Sequence, residues 1–339
     1  MRLVSLYTYL DSIGGANNLC VILHNELMKS GLFLTGQVCS FTSYENLAAL
    51  YKSQLTSNEY IKFKVMDLLN NADKVIFLSH HRKMTTYLLA MAKLLRKKIT
   101  IIHIAHINLE SLKHLTLFPK YNIAVSNNVK ENLQEFFNVK DKVKVIYNGV
   151  PAAINTSTKV YNPEKIIITM PALIDERKQQ VAITQFLKGK LPKEITIQYA
   201  GDGPNRKELE TLVKDDSQFK VLGQVDDMPS LYQTSDYVLL FSKSEGLPLS
   251  LIEAQSYSVP IICNDVGGNL EILKPNENGF FADSFEELLN CLKSLPQVDA
   301  STYQTMQQKS LQNFKDNFQF DKMIEQYVDY IQEVSKKEF

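Results

Sequence analysis

Two carboxylates stand eight residues apart in SKSEGLPLSLIEAQ (242–255): Glu245 on a Gly/Pro-interrupted turn and Glu253 inside an apolar run. The preceding YVLLFS has the unbroken apolar character of a buried strand, and PLSLIEAQ has helical periodicity. A glycine turn feeding a helix start leaves backbone N–H groups without intrahelical partners, here those of Gly246, Leu247 and Leu249 around Pro248. They lie at the positive end of the helix dipole, an arrangement that takes an anion such as phosphate. Ser250 and Glu253 have the spacing of a helix-capping pair. Glu253 either faces the bound group or serves the dipole alone, and Glu245 either contacts a ligand or is a solvated loop acid. The residues by themselves leave both questions open.

Weaker candidates surround this stretch. AGDGPNRKELE (200–210) follows a strand and opens a helix, so Gly203 is either a point of close backbone approach to a phosphate or part of a structural turn. Gly14-Gly15 after the first strand allows the same two readings. His80-His81, His103 and His106 fall at the ends of two N-terminal strands, where open parallel sheets bind ligands. There is no D-x-D, no H-E-x-x-H and no G-x-S-x-G, so neither a metal set nor a serine nucleophile is nominated.

The elements that must position these residues alternate. RLVSLYTYL leads through the glycines into ANNLCVILHNELMKSG, which ends at Gly31. KVIFLSH precedes TTYLLAMAKLLRKK, then come ITIIHIAH, YNIAVS with NVKENLQEFF, and KVKVIYNG. The alternation restarts with KIIITM, ITIQYAGDG, FKVLGQV, YVLLFS and VPIICND. Strands alternating with helices predict parallel sheets covered on both faces. PAAINTSTKVYNPEK (151–165), small, polar and proline-bearing, reads as the linker between two such halves. The expected organisation is an N-terminal domain over 1–150, a second domain over 166–315, and a C-terminal amphipathic helix in 316–339 that packs back toward the first.

A chain of 339 residues, 45% hydrophobic and 22% charged, can bury full cores. Lys plus Arg and Asp plus Glu are 37 each, so no global basic excess points to nucleic acid. The four cysteines show no paired spacing and read as free thiols of a reducing compartment. The N-terminus reads as a strand rather than a secretory signal, and TTYLLAMAKLLRKK is too short to span a bilayer. The expectation is a cytoplasmic protein, with peripheral association at the inner face of the membrane left open and the oligomeric state undetermined.

The run LGQVDDMPSLYQTSDYVLLFSKSEGLPLSLIEAQSYSVPIICNDVGGNLEI, with AGDGP ahead and NENGFF behind, resembles the retaining glycosyltransferases of family GT4. Glu245 and Glu253 match the family's E-x7-E element; GGA at 14–16, the strand-end histidines and KVKVIYNGVP extend the likeness over nearly the whole chain. The resemblance implies an α/β GT-B fold, two Rossmann-like domains with parallel sheets facing an interdomain cleft. It implies transfer of a sugar from a nucleotide-sugar donor, most often a UDP-sugar, to a hydroxyl of a glycan or lipid-linked acceptor, with retention and without a metal or other cofactor.

By the same resemblance, Glu253 holds the ribose hydroxyls and Glu245 contacts the donor sugar. The Gly246–Leu249 turn binds sugar hydroxyls and phosphate, Lys178 in ALIDERKQQ neutralises the diphosphate, and Val225 contacts the base. Gly14, Gly15 and Gly203 join the donor site, and His106 is the histidine near the donor sugar, with His103 its competitor. Two departures stand out. Ala172 occupies the place of the family's arginine six residues before the lysine, and Arg177, adjacent to Lys178, does not share its direction. Ser256-Tyr257-Ser258 replaces a small A-x-G, which predicts different local helix packing. Two alternatives remain: a nucleotide-sugar epimerase of the same fold, and a non-catalytic glycosyltransferase-like partner subunit.

Overall fold

A computed structural model describes residues 1–12, 14–154 and 159–339. The chain divides into two units, Met1–Tyr147 with Asp321–Phe339, and Asn148–Phe320.

The first unit is built on seven parallel strands: β1 (Arg2–Leu6), β2 (Thr35–Ser40), β3 (Tyr60–Lys62), β4 (Val75–Ser79), β5 (Thr100–Ala105), β6 (Tyr121–Ala124) and β7 (Val143–Val145). Their order is β3-β2-β1-β4-β5-β6-β7. Every residue of β4 and β5 is buried, as expected for central strands covered by helices on both faces. The final helix, Phe320–Glu338, buries the stripe Met323, Tyr327, Ile331 and Val334. Its Glu338 carboxylate accepts from the Tyr121 hydroxyl (2.6 Å) and pairs with Lys120 (3.0 Å), which ties the helix to β6.

The second unit has six parallel strands: β8 (Ile166–Pro171), β9 (Ile195–Ala200), β10 (Phe219–Gly223), β11 (Tyr237–Leu240), β12 (Ile261–Cys263) and β13 (Gly279–Phe281). Their order is β10-β9-β8-β11-β12-β13. In both sheets the order reverses beside the first strand, between β1 and β4 and between β8 and β11. At such a switch point the two connections leave in opposite directions and open a crevice at the strands' carboxyl ends.

The boundaries differ from those expected at 150 and 315. Asn148–Val150 belong to the second unit: Val150 N–H donates to Phe318 O (3.1 Å) and Phe320 N–H to Val150 O (3.0 Å). Residue 315 lies inside an unbroken helix, Ala300–Asn317, and the chain turns only at Phe318–Gln319. Of the linker read over 151–165, residues 155–158 lie outside the described residues. Of the remainder, Lys159 and Tyr161 are anchored in the second unit. Tyr161 is buried, stacks on Tyr303 at 4.2 Å and donates to Leu295 O, while Lys159 pairs with the buried Asp236 at 2.7 Å. One buried aromatic and one buried ion pair outweigh the small-residue composition that suggested a free connector.

Candidate active site

The connections leaving β8 and β11 meet at the second sheet's switch point. Lys178 and Glu245, 67 residues apart in sequence, form an ion pair between Nζ and Oε1. Both residues are nearly buried, 9% and 6% exposed. The two connections are also joined through the backbone, Lys243 N–H donating to Arg177 O at 2.8 Å. Asp175 Oδ1 accepts from the Lys178 N–H at 2.9 Å and fixes the turn that carries the lysine. An ammonium has three N–H donors, so one can engage Glu245 while others face a ligand.

The glutamate's turn is held from behind by residues the sequence reading did not single out. Gly268 N–H donates to Gly246 O at 2.7 Å, and Asn148 Nδ2 donates to Leu247 O at 2.9 Å. With the Gly246 carbonyl so engaged, a trans peptide directs the Leu247 N–H the opposite way. Gly267 adopts φ +59°, and a Cβ there would lie 2.3 Å from the Glu245 carbonyl oxygen. The doublet Gly267-Gly268 just beyond β12 was the available signal. Asn264, also past β12, exchanges hydrogen bonds with the backbone of Ser242 (3.1 and 2.8 Å) and ties the two strand ends together.

The helix after the turn runs over Leu249–Ser256 with Pro248 as N-cap and no side-chain cap. The expected Ser250–Glu253 capping pair is therefore not formed. The helix begins one residue before Ser250, which places the serine inside the first turn. The N–H groups of that turn are left without side-chain acceptors, and an anion can take them. Gly203 lies in the β9-to-helix connection, where a Cβ would fall 2.3 Å from Ile174 O. Its close approach is to the loop that leads to Lys178. Ala172 sits in that loop against Gly201, and Arg177 is turned toward Asp175 at 3.8 Å, so it does not stand in for the family arginine.

Glu253 carries a partner absent from the sequence reading: the buried Tyr232 hydroxyl donates to its Oε2 at 2.6 Å. Burial raises the Glu253 carboxyl above its ordinary pKa, and the tyrosine hydrogen bond works against that shift. Tyr257 stacks on Tyr232 at 5.4 Å, nearly parallel, so the Ser-Tyr-Ser departure supplies the ring that packs Glu253's partner. Ser258 itself adopts φ +62°, with Ser258 N–H on Gln255 O (3.0 Å) and Val259 N–H on Ala254 O (2.9 Å), the termination glycine normally makes. Val225 is half-buried in the short connection between β10 and the helix Met228–Thr234 that carries Tyr232.

In the first unit, Gly14 is the N-cap of helix Gly15–Lys29 just beyond β1, and Gly15 is its first residue. His103 lies within β5, its Nδ1 2.9 Å from Thr85 Oγ1 and its ring 5.3 Å from Phe118. His106 lies one residue past β5, half-buried, stacked on His80 at 5.2 Å with Nε2 3.0 Å from His80 Nδ1. Burial lowers both imidazoles, His103 to about 3 and His106 to about 4. The opposite Nε2 of His80 is buried without a partner. Of the two candidates, His103 is buried and His106 keeps some exposure to solvent. Among the described residues, no three His, Cys, Asp or Glu side chains are grouped to hold a metal ion.

Residues 153–297 match the family of glycosyl transferases group 1. The N-acetyl-alpha-D-glucosaminyl L-malate synthase of Bacillus anthracis is 23% identical over 222 residues, 60% of this chain and 57% of that protein. The UDP-Gal:alpha-D-GlcNAc-diphosphoundecaprenol alpha-1,3-galactosyltransferase of Escherichia coli is 25% identical over 233 residues, 62% of this chain and 60% of its own. The chain thus spans less than two thirds of the length of these curated relatives. Anabaena Alr3699/HepE, solved in complex with UDP, superposes with a TM-score of 0.80 at 17% identity, over 98% of this chain and 100% of that one. The chain has a GT-B fold of two parallel sheets, and its residues 153–297 are similar to the glycosyl transferases group 1 family.

Proposed function

We propose that the chain transfers a sugar from a nucleotide-sugar donor, a UDP-sugar, to a hydroxyl of a glycan or lipid-linked acceptor, in the synthesis of a surface polysaccharide or glycoconjugate. The observation that carries this reading is the Lys178–Glu245 pair at the β8/β11 switch point, beside the uncapped start of helix Leu249–Ser256. In the reaction the anomeric C–O bond to the diphosphate breaks and its electron pair stays on the phosphate oxygen. The acceptor oxygen bonds to the anomeric carbon on the same face, and its proton passes to that phosphate oxygen. Lys178 and the helix-start N–H groups stabilise the charge as it develops, without a metal. Glu245 accepts from donor-sugar hydroxyls, the Gly246–Leu249 turn takes sugar and phosphate oxygens, and Glu253 takes the ribose hydroxyls. Val225 packs on the base. On the resemblance alone His106, Gly14 and Gly15 join this reading as donor contacts, while Gly203 backs the loop that carries Lys178.

The names of two similar proteins support the donor and acceptor classes: one was solved with UDP, and the other is named for moving galactose from UDP-Gal onto a diphosphoundecaprenol-linked sugar. The test is a panel of nucleotide sugars with and without glycan and lipid-linked acceptors, read as released nucleoside diphosphate. UDP release that requires an acceptor is expected. Full activity in Glu245→Ala would remove that residue's role. Epimerised nucleotide sugar formed without acceptor would make the protein an isomerase, and no thermal shift with UDP or GDP would make it a non-catalytic partner.

A further inference from the structure

His80 follows β4 and His106 follows β5, and the two strands are neighbours in the first sheet. His80 Nδ1 and His106 Nε2 lie 3.0 Å apart, with the ring planes 13° from parallel and the centroids offset to 5.2 Å. At that offset the rings meet at their edges, nitrogen to nitrogen, as a hydrogen bond requires. The backbone fixes the start of this pair, His80 N–H donating to Leu6 O at 2.9 Å. Burial keeps both imidazoles neutral, holding His80 well below its ordinary pKa and lowering His106 to about 4. The neighbouring titratable groups that act on the pair are other imidazoles, His103 and His24 on His80 and His81 on His106. No carboxylate is among them.

A neutral imidazole has one N–H and one bare nitrogen, so the contact can be made in two ways. If His106 Nε2–H donates, the proton of His80 must sit on its own Nε2. That nitrogen is buried with no partner, so a donor would be sealed away from every acceptor. The nearby rings do not relieve it. His103 Nδ1 lies 2.9 Å from Thr85 Oγ1, and His81 Nδ1 accepts from Lys83 N–H at 3.2 Å. If His80 Nδ1–H donates instead, the sealed Nε2 is a bare acceptor. Folded proteins leave acceptors unpaired more readily than N–H groups, which favours this second arrangement. It puts the His106 proton on Nδ1. His106 is half-buried, and its one side-chain hydrogen bond among the described residues is the one to His80, so Nδ1 is left to solvent or to a bound group.

We propose that His80 is a positioning residue that fixes His106 as the Nδ1–H tautomer, so that His106 presents a hydrogen-bond donor and no free proton acceptor beyond β5. The group that suits such a donor is an oxygen lone pair. That this oxygen belongs to the nucleotide-sugar donor rests on the transfer reading above. The tautomer has a consequence for the chemistry: the bare nitrogen of His106 is occupied by His80, so His106 is not the base that takes the acceptor's proton. That leaves the departing phosphate oxygen to receive it, and His106 to hold the substrate by a neutral hydrogen bond.

The test reads the ring directly, by proton–nitrogen correlation NMR on the full chain with nitrogen-labelled histidine at neutral pH. His106→Gln identifies the signal. Wild-type His106 should show a protonated Nδ1 and a bare Nε2. His80→Leu, which fills the space without a donor, should move His106 toward the Nε2–H form. His80→Asn, whose amide N–H can replace Nδ1–H, should restore the first form. On the transfer reading, His80→Leu should also raise KM for the nucleotide sugar by about 3- to 10-fold at nearly constant kcat, and His80→Asn should recover most of that loss. A wild-type His106 protonated on Nε2, or a tautomer that His80→Leu leaves unchanged, overturns the inference. If His80→Leu does not fold, the wild-type and His80→Asn spectra decide it. The spectrum needs no turnover, so a chain that transfers no sugar refutes the transfer reading while the spectrum still decides the tautomer.

Discussion

The two units share a parallel-sheet plan with one reversal of strand order, and they fill their switch points with opposite chemistry. The second unit places a buried ion pair, Lys178–Glu245, at the carboxyl ends of β8 and β11 and locks it with backbone bonds from the next loop. The first places neutral rings beside β4 and β5: His80 stacked on His106, and His103 against Phe118. All six histidines of the chain fall within residues 24–114, and none in Asn148–Phe320. A common topology therefore fixes where a site lies, while side chains decide whether it works through fixed charge or through groups kept uncharged by burial.

The largest expected effect is on the charged side of that contrast. Lys178→Ala should cut the rate of nucleoside diphosphate release by about 100- to 1,000-fold, as expected for loss of one group stabilising a developing anion. Because it leaves Glu245 buried and unpaired, it should also lower stability by roughly 3–5 kcal/mol in denaturant unfolding. A Lys178→Ala protein with wild-type turnover would erase the distinction between the two switch points.

Acid should act on the other unit. Burial lowers His24, His81 and His106 to about 4 and His103 to about 3. The unfolded chain thus binds these protons more readily than the folded one. Stability from the neutral rings is complete above pH of about 6.5 and drains away as pH falls toward about 4, at about 1.4 kcal/mol per pH unit for each fully shifted ring. Hydrogen exchange at pH 5 should show protection falling in Met1–Tyr147 before it falls in Asn148–Phe320; equal loss in both units would contradict it.

A smaller effect tests Glu253. Tyr232→Phe removes the hydroxyl that opposes the burial shift, so the carboxyl should rise further. Donor binding that needs the carboxylate should weaken about 3- to 10-fold in KM, and its acid limb should move to higher pH, with little change in kcat at saturation. An unmoved acid limb would mean that Glu253 does not contact the donor. The smallest effect concerns the helix end: Ser258→Gly should relieve the left-handed serine and raise stability by about 0.5–1 kcal/mol in thermal or urea unfolding.

Much of the fold was legible because the apolar runs are long and central. KVIFLSH, ITIIHIAH, KIIITM and YVLLFS all became strands of the two sheets. The strands without such runs, TGQVCS, YIK and GFF, were missed. They lie toward sheet edges, where one side is less covered and the sequence is short and mixed. The glutamate turn was legible from its glycine, proline and flanking patterns. Its supports were not: Gly267, Asn148 and Tyr232 act on it from other connections.

The order of residues along the chain specifies an alternation that builds two parallel sheets, a glycine turn between strand and helix, and a pair of glutamates at fixed spacing. These follow from periodicity and local backbone preference, which are written in neighbouring residues. Packing between distant segments brings Lys178 to Glu245 and Tyr232 to Glu253, gives Ser258 glycine's conformation, and sets the unit boundary at Tyr147–Asn148. Each of these depends on which strands lie side by side, and strand order is set by the packing of the whole sheet rather than by any one segment.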